Sequence, residues 1–403
     1  MRKLVTLRTI DTISQIAGAE TIETATLDGW ECVIRKADGF KIGDTVVYIE
    51  TDAFLPVKEP FLFLHKVQGC LQKNAENEEG FKIRIHQMGP KKTPENEALG
   101  YVKQTSNGLV FPLSDFEKIV PGIHGMSVGT DLTGQVGAKV FEPFVAGEVE
   151  SVAFGGMSSA IKETDQERIQ NALAYFSKYR GITFEVTEKI DGTSASFYLM
   201  DGKFGVCNRT LDLKNVPGCK HWDYAIARGI EQAMRDHGKN LALQGELAGE
   251  GISKNKLQLK GTRFFLFDVW DVDNRRYLTP SERKDVFEWF KTKCNIEHVP
   301  VVDKAATIDP EGNISRAQSQ IAQLDLDRAA TSMDKKEFDK KRTELSVPIH
   351  DGVKKFVAAS DGNSIITPGR KREGLVFKSN ELVNGQTVSF KVLSDAYKLK
   401  YEG

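Results

Sequence analysis

The sequence predicts an α+β protein of two parts: an all-β amino-terminal part and a larger mixed part behind it. Short apolar runs separated by Gly-rich turns fill residues 1–145. A Gly-, Ser- and Ala-rich stretch, 146–163, reads as a linker. Over 164–403, capped helical stripes interleave with apolar strands, which predicts antiparallel sheets with flanking helices.

In the first part, Asp28-Gly29 turns into the strand Trp30–Arg35, and Gly43-Asp44 into Thr45–Ile49. Phe81, Ile83 and Ile85 alternate with Lys82, Arg84 and His86, a period of two. Asn107-Gly108 leads into Leu109–Phe111, and residues 138–141 close the run. So many short strands suggest a small barrel or sandwich, with an OB-like barrel the natural candidate. The alternation puts Lys82, Arg84 and His86 on one face. Such a face could meet phosphates, and equally could be a solvated exterior. The polar tract 72–79 predicts a surface loop.

In the second part, Thr164 and Glu167 have capping-box spacing, with an apolar stripe at Ile169, Leu173 and Phe176 and a stop at Gly181. This predicts one helix. Strands follow over 182–187, 196–199, 241–244 and 264–269, with a helix between Trp222 and His237. Thr279-Pro280-Ser281-Glu282 is a second capping box, opening a helix through about Lys291. Residues 314–345 are charged and helical in pattern, and 281–350 reads as a helical insertion. The end, 371–403, returns to strand-like, basic text.

The chain has 403 residues and a net charge of −1, from 55 Lys and Arg against 56 Asp and Glu. That excludes a protein that coats nucleic acid by bulk charge, so any such contact must come from a local basic face. No stretch is long and apolar enough for a membrane span, and residues 1–10 lack a signal-peptide core. The five cysteines are scattered without a C-x-x-C pair, which suits a reducing cytoplasmic or nuclear compartment. Cys207, Cys219 and His221 could be metal ligands, but no fourth ligand shares their spacing.

The sharpest feature is Glu188-Lys189-Ile190-Asp191-Gly192-Thr193. Lys189 and Asp191 are two apart at the end of a predicted strand, so they point the same way, and Gly192 allows a tight turn just beyond. A lysine is a nucleophile only when neutral, and its ordinary pKa is about 10.4, so burial or nearby cations must assist it. Alone, the tetrad K-x-D-G is more readily explained as a strand-end salt bridge followed by a turn.

Lys189-Ile190-Asp191-Gly192 resembles the nucleophile motif of the covalent nucleotidyltransferases, the superfamily of polynucleotide ligases and mRNA capping enzymes. Five further stretches resemble that superfamily's motifs in its own order: Cys207-Asn208-Arg209, Gly245-Glu246-Leu247, Phe264–Asp268, Glu373–Lys378 and Ser389–Val392. The resemblance spans about 160–400. Only 12 residues follow Lys391, so the carboxy-terminal OB domain of DNA ligases and capping enzymes has no place here. A strand-rich region before the nucleophile instead resembles the ATP-dependent RNA ligases of the RNA ligase 2 branch, as do residues 158–170. Ser194 and Ser389 depart from that branch's pattern.

The resemblance implies an RNA ligase that joins a 3′-hydroxyl to a 5′-phosphate through lysyl-AMP and adenylylated RNA, using ATP and Mg²⁺ or Mn²⁺. It implies Lys189 as nucleophile. Glu188, Ile190, Arg209, Glu246, Phe264, Lys378 and Lys391 would bind the nucleotide, with Phe264 stacking on adenine. Asp191, Glu246 and Glu373 would hold metal, partly through water. The implied partner is RNA with 3′-hydroxyl and 5′-phosphate ends, a nicked duplex among the options, bound by a monomer. Two other readings stand beside it: a non-catalytic nucleic-acid-binding protein with a degenerate ligase half, and a DNA ligase or capping-type enzyme.

Overall fold

The computed structural model describes residues 2–74, 76–141, 153–330 and 333–401. In the amino-terminal part, Val5–Thr9, Thr45–Glu50 and Gly108–Pro112 form one antiparallel sheet, and Thr12–Gln15, Ile22–Leu27 and Trp30–Arg35 a second. A third joins Lys139–Val140, Ala53–Pro56, Glu79–Lys82 and Leu71–Lys73, and His86–Met88 pairs with Gln104–Ser106. The β-rich expectation holds, but the strands are divided among four sheets and no barrel closes among the described residues. Phe81, Ile83 and Ile85 are buried as their alternation required. The ladder ends at Lys82, however, and Arg84 turns aside to donate to the Gln68 carbonyl at 2.7 Å.

Of the stretch 146–163, residues up to 152 lie outside the described residues, and Ala153–Gly156 pairs with Leu211–Leu213. The helix expected from Thr164 does not form. Residues 164–167 carry no regular structure, Arg168 is extended, a short 3₁₀ turn covers Ile169–Asn171, and a brief helix covers Ala174–Lys178. Thr164 meets the Ser194 hydroxyl at 3.2 Å instead of capping. The reason is tertiary. Lys391 N donates to Glu167 O at 2.8 Å, and the Arg168 side chain is drawn into a buried charge cluster. The apolar stripe was read correctly, since Ile169 and Phe176 are fully buried.

Two sheets build the second part. The larger contains β2 (Thr193–Met200), β3 (Leu241–Gly249) and β4 (Thr262–Asp271) at its centre. The smaller is antiparallel, in the order β5 (Val301–Ala306), β1 (Phe184–Lys189), β6 (Gly374–Ser379), β7 (Ser389–Leu393). The single helix expected between Trp222 and His237 is two, α1 (Lys220–Ala227) and α2 (Ile230–His237), broken at Gly229 with φ +62. The Thr279 capping box forms as expected and opens α3 (Pro280–Cys294), which packs on the larger sheet. Two helices, α4 (Asn313–Ala330) and α5 (Lys335–Ser360), occupy the predicted helical span and cover the smaller sheet. The span 281–350 thus supplies β5, the neighbour of β1, as well as helices. A last helix, α6, is Asp395–Tyr401.

A buried charge cluster joins the two parts. Glu50, 1% exposed, accepts from Arg2, from Asn171 Nδ2 at 2.8 Å, and faces Arg168 Nε at 3.1 Å. Asp52 pairs with Arg168, and Lys398 of α6 donates to Thr51 Oγ1 at 2.7 Å. Trp30 Nε1 and Arg8 Nη2 meet Asn171 Oδ1 at 2.9 and 2.7 Å. Away from the cluster, α5 bonds the Asp11 carbonyl through Thr343 at 3.0 Å. Burial pushes Glu50 up, but Arg168 and Arg2 outweigh it and hold its carboxyl below the usual range. Its contribution is therefore complete above its unfolded pKa of about 4.3 and fades as pH falls.

Replacing Glu50 with Gln leaves buried guanidinium groups short of a countercharge. It should cost about 3–5 kcal/mol in urea unfolding. It should also flatten the acid side of the stability profile. A loss below about 1 kcal/mol, the level of an exposed pair, would mean that the cluster does not join the two parts.

Candidate active site

Strand register builds the site. Lys189 pairs with Gly374, so Glu373, one residue earlier on the neighbouring strand, reaches it. The Lys189 Nζ lies 2.8 Å from both Glu373 carboxylate oxygens. Position 374 must be glycine, because a methyl there would overlap the Val392 carbonyl. Gly192 is required for a like reason, since a methyl would overlap the Leu247 carbonyl and press on Glu246. That close approach brings the turn carrying Asp191 against β3, which carries Glu246.

Three carboxylates thus surround one ammonium. Burial disfavours the charge on Lys189, but Glu373, Glu246 and Asp191 outweigh it and hold the group protonated above its ordinary range. Burial, opposed by Lys189 and reinforced by Glu373 and Asp191, pushes Glu246 up to about 8. Asp191 faces Lys256 Nζ at 3.2 Å, and its buried Oδ2 accepts no aligned hydrogen bond. This surplus of carboxylate around an under-satisfied oxygen fits a divalent cation. Among the described residues no three His, Cys, Asp or Glu side chains stand together as a ready-made metal site.

Lys391 enters from β7 and holds Asp165 Oδ1 at 2.8 Å. Burial, against the pull of Asp165 and with Arg2 and Lys189 nearby, lowers it to about 8. Arg209 is half-buried in the turn between the strands Lys203–Cys207 and Leu211–Leu213; burial first, then Arg2, lowers its pKa while Glu246 opposes. Lys378 stands at the other end of β6, four residues from Gly374, which is about 13 Å along a strand. There its Nζ meets Asp268 at 2.6 Å and the Phe267 carbonyl at 2.7 Å. Burial, partly offset by Asp268, lowers it to about 8. Glu188 is buried, accepts from Ile365 N at 2.7 Å through Oε2, and is also held by the Ser364 hydroxyl. Burial raises its pKa.

Phe264 is a correction. Strand alternation turns it to the helix-covered face, where it is fully buried against Phe197 and Tyr224. It packs the core and cannot stack on a nucleobase. Phe265 and Phe267 lie on the opposite face, in one apolar cluster with Ile190, Leu257, Leu259 and Ile366. Phe265 pairs in register with Glu246. Sequence reasoning missed these two rings, and also Asp165, Arg2 and Lys256. Alternation would have separated 264 from 265 and 267 had the register against Glu246 been known. Among the described residues Cys207, Cys219 and His221 form no metal-holding group: Cys207 lies 3.8 Å from Asp212 and His221 bonds the Ser194 carbonyl at 3.1 Å. A surface groove between Lys41 and the start of α5 contains none of the predicted site residues.

The profile of the RNA ligase family matches residues 182–393, more than half of the chain. The chain belongs to the RNA ligase family. An OB-fold domain profile matches residues 4–113. Comparison with curated proteins gave no match. Among solved structures, the chain is similar to RNA ligase of Naegleria gruberi at 31% identity. One such structure, with AMP and manganese, covers 100% of this chain and 99% of its own, with a TM-score of 0.75. A second, with ATP and manganese, matches at TM-score 0.75 over 99% of each chain. A third, with pyrophosphate, matches at TM-score 0.75 over 100% of this chain and 99% of that one. No helix among the described residues is long and apolar enough to cross a membrane.

As a core ring, Phe264 sets stability rather than nucleotide affinity. Phe264→Leu should lower stability by about 1–2 kcal/mol and leave the KM for ATP in the folded protein within twofold. A tenfold rise in KM at unchanged stability would restore it as a nucleobase contact.

Proposed function

We propose that this protein is an ATP-dependent RNA ligase that joins 3′-hydroxyl and 5′-phosphate RNA ends through lysyl-AMP and adenylylated RNA. The observation that carries the reading is Lys189 ringed by Glu373, Glu246 and Asp191. The relatives that bind ATP, AMP and manganese support it.

In the first step Lys189 loses a proton to solvent, its nitrogen bonds to the α-phosphorus of ATP and sheds a second proton, the bond from that phosphorus to the oxygen bridging to the β-phosphorus breaks, and pyrophosphate leaves. In the second, an RNA 5′-phosphate oxygen displaces Lys189 from AMP. In the third, a 3′-hydroxyl attacks that phosphate and AMP leaves. Each transfer requires in-line placement and stabilised negative charge. Lys391 and Arg209 are the cations available for the phosphates. A divalent cation among Asp191, Glu246 and Glu373 supplies positive charge that offsets their hold on the Lys189 proton. Phe267, half-buried, offers an apolar face for a base, backed by the buried Ile190 and Phe265. The Glu188 carboxylate, next to the nucleophile, is an acceptor suited to the amino group of adenine, whereas guanine carries a carbonyl there. Lys378 stands beside Phe267 on the same side.

Mixing the protein with ATP and Mn²⁺ should add one AMP to its intact mass. Lys189→Ala should show no adduct yet still seal pre-adenylylated RNA, because that step bypasses the lysine. Absence of an adduct in the wild type, with RNA still bound, would leave a binding protein without ligase chemistry. Because its carboxylate neighbours hold Lys189 protonated, adduct formation should also accelerate as pH rises from about 6 to 9. A flat profile would mean that another lysine reacts or that proton loss is not limiting.

A further inference from the structure

The chain as a whole is nearly neutral, yet three segments that meet beside Lys189 contain no acidic residue: 251–267, 364–372 and 396–401. Their convergence is direct. Leu257 and Leu259 share an apolar cluster with Ile190 and Ile366. Lys256 lies over the Tyr397 ring of α6 at 5.3 Å and pairs with Asp191. Ile365 N bonds Glu188, and Arg370 reaches the Tyr401 hydroxyl. Around this junction Lys254, Lys260 and Lys400 are exposed, Arg370 and Lys371 are half-buried, and Ile365 is 52% exposed.

The first segment has an unusual backbone. Ser253, Lys254 and Asn255 are consecutive left-handed residues, with φ of 45, 59 and 44, although none is glycine. Non-glycine residues hold such a run only when their surroundings fix it. Ser253 Oγ donates to the Gly192 carbonyl at 2.7 Å, which ties the loop to the nucleophile turn. Asn255 fixes its far side, donating to the Leu259 carbonyl at 2.8 Å and accepting from Leu259 N at 2.9 Å. The loop is therefore a braced platform, and it carries Lys254 outward next to the reacting lysine.

We infer that this acid-free rim, with Lys254 and Lys260 as its exposed contacts, seats the phosphodiester backbone of the RNA at the ligation site. The inference rests on the ligase reading above. Phosphate contacts position a strand without reading its sequence, and they weaken with salt as counterions return. The basic strand of the amino-terminal part is a weaker candidate, because Arg84 is engaged by a carbonyl and Lys82 lies over Phe141.

The test is the double charge reversal Lys254→Glu with Lys260→Glu, read in two assays. Lysyl-AMP formation needs no RNA and should stay within twofold of wild type. Sealing of a pre-adenylylated RNA nick should fall at least tenfold, with a salt slope shallower by about two. The neutral pair Lys254→Gln with Lys260→Gln should fall less and in the same direction. A control reversal of Lys335 and Lys340, exposed on α5, should leave sealing within twofold. Sealing and salt slope unchanged in the first variant, or an equal loss in the control, would overturn the rim. A wild type that forms no lysyl-AMP would instead overturn the ligase reading.

Discussion

The site depends on one register. Lys189 pairs with Gly374, and everything chemical follows from that alignment. It places Glu373 across the ladder on the lysine, and the absence of a side chain at 374 lets β7 lie close enough to present Lys391. A slip of one residue would turn Lys189 to the face of the sheet that now packs under α4 and α5. The apolar residues Phe184, Val186, Leu375, Phe377, Phe390 and Val392 fix the register by burying that face. Core packing thereby sets the geometry of the charged groups on the other side.

A second constraint links this sheet to the amino-terminal part. Ahead of the nucleophile strand, the Arg168 backbone bridges Lys391 while its side chain reaches into the Glu50 cluster. Through Lys398, α6 joins the same cluster, and through Tyr397 it touches Lys256, the partner of Asp191. The amino-terminal part is therefore in electrostatic contact with the site. Arg2, second in the chain, bears on both Lys391 and Arg209.

Much of this was legible in the sequence. The strand-rich first part, the α3 capping box and the nucleophile turn follow from local rules, because caps, turns and alternation are encoded within a few residues. The grouping of Lys189, Asp191, Glu246 and Glu373 was legible through the order of the motifs. What failed needed knowledge of partners distant in sequence. Thr164 and Glu167 spell a helix start, but Lys391 and the Glu50 cluster claim that segment's backbone and Arg168. Phe264 sits in a row of aromatics, and only the register against Glu246 says which ones face the site. The division of the first part's strands among four sheets was not legible, because strand pairing, unlike strand propensity, is non-local.

The lysines pose the sharpest physical question. Burial lowers Lys378 and Lys391 to about 8, while Lys189 is held protonated. On protonation alone the first two are the readier nucleophiles. Geometry argues otherwise, since each is tied to its own aspartate and only Lys189 stands within the ring of carboxylates. Peptide mapping by mass spectrometry after exposure to ATP and Mn²⁺ decides between them. The account predicts AMP on Lys189 and on no other residue. AMP on Lys378 or Lys391 in the native protein would contradict it.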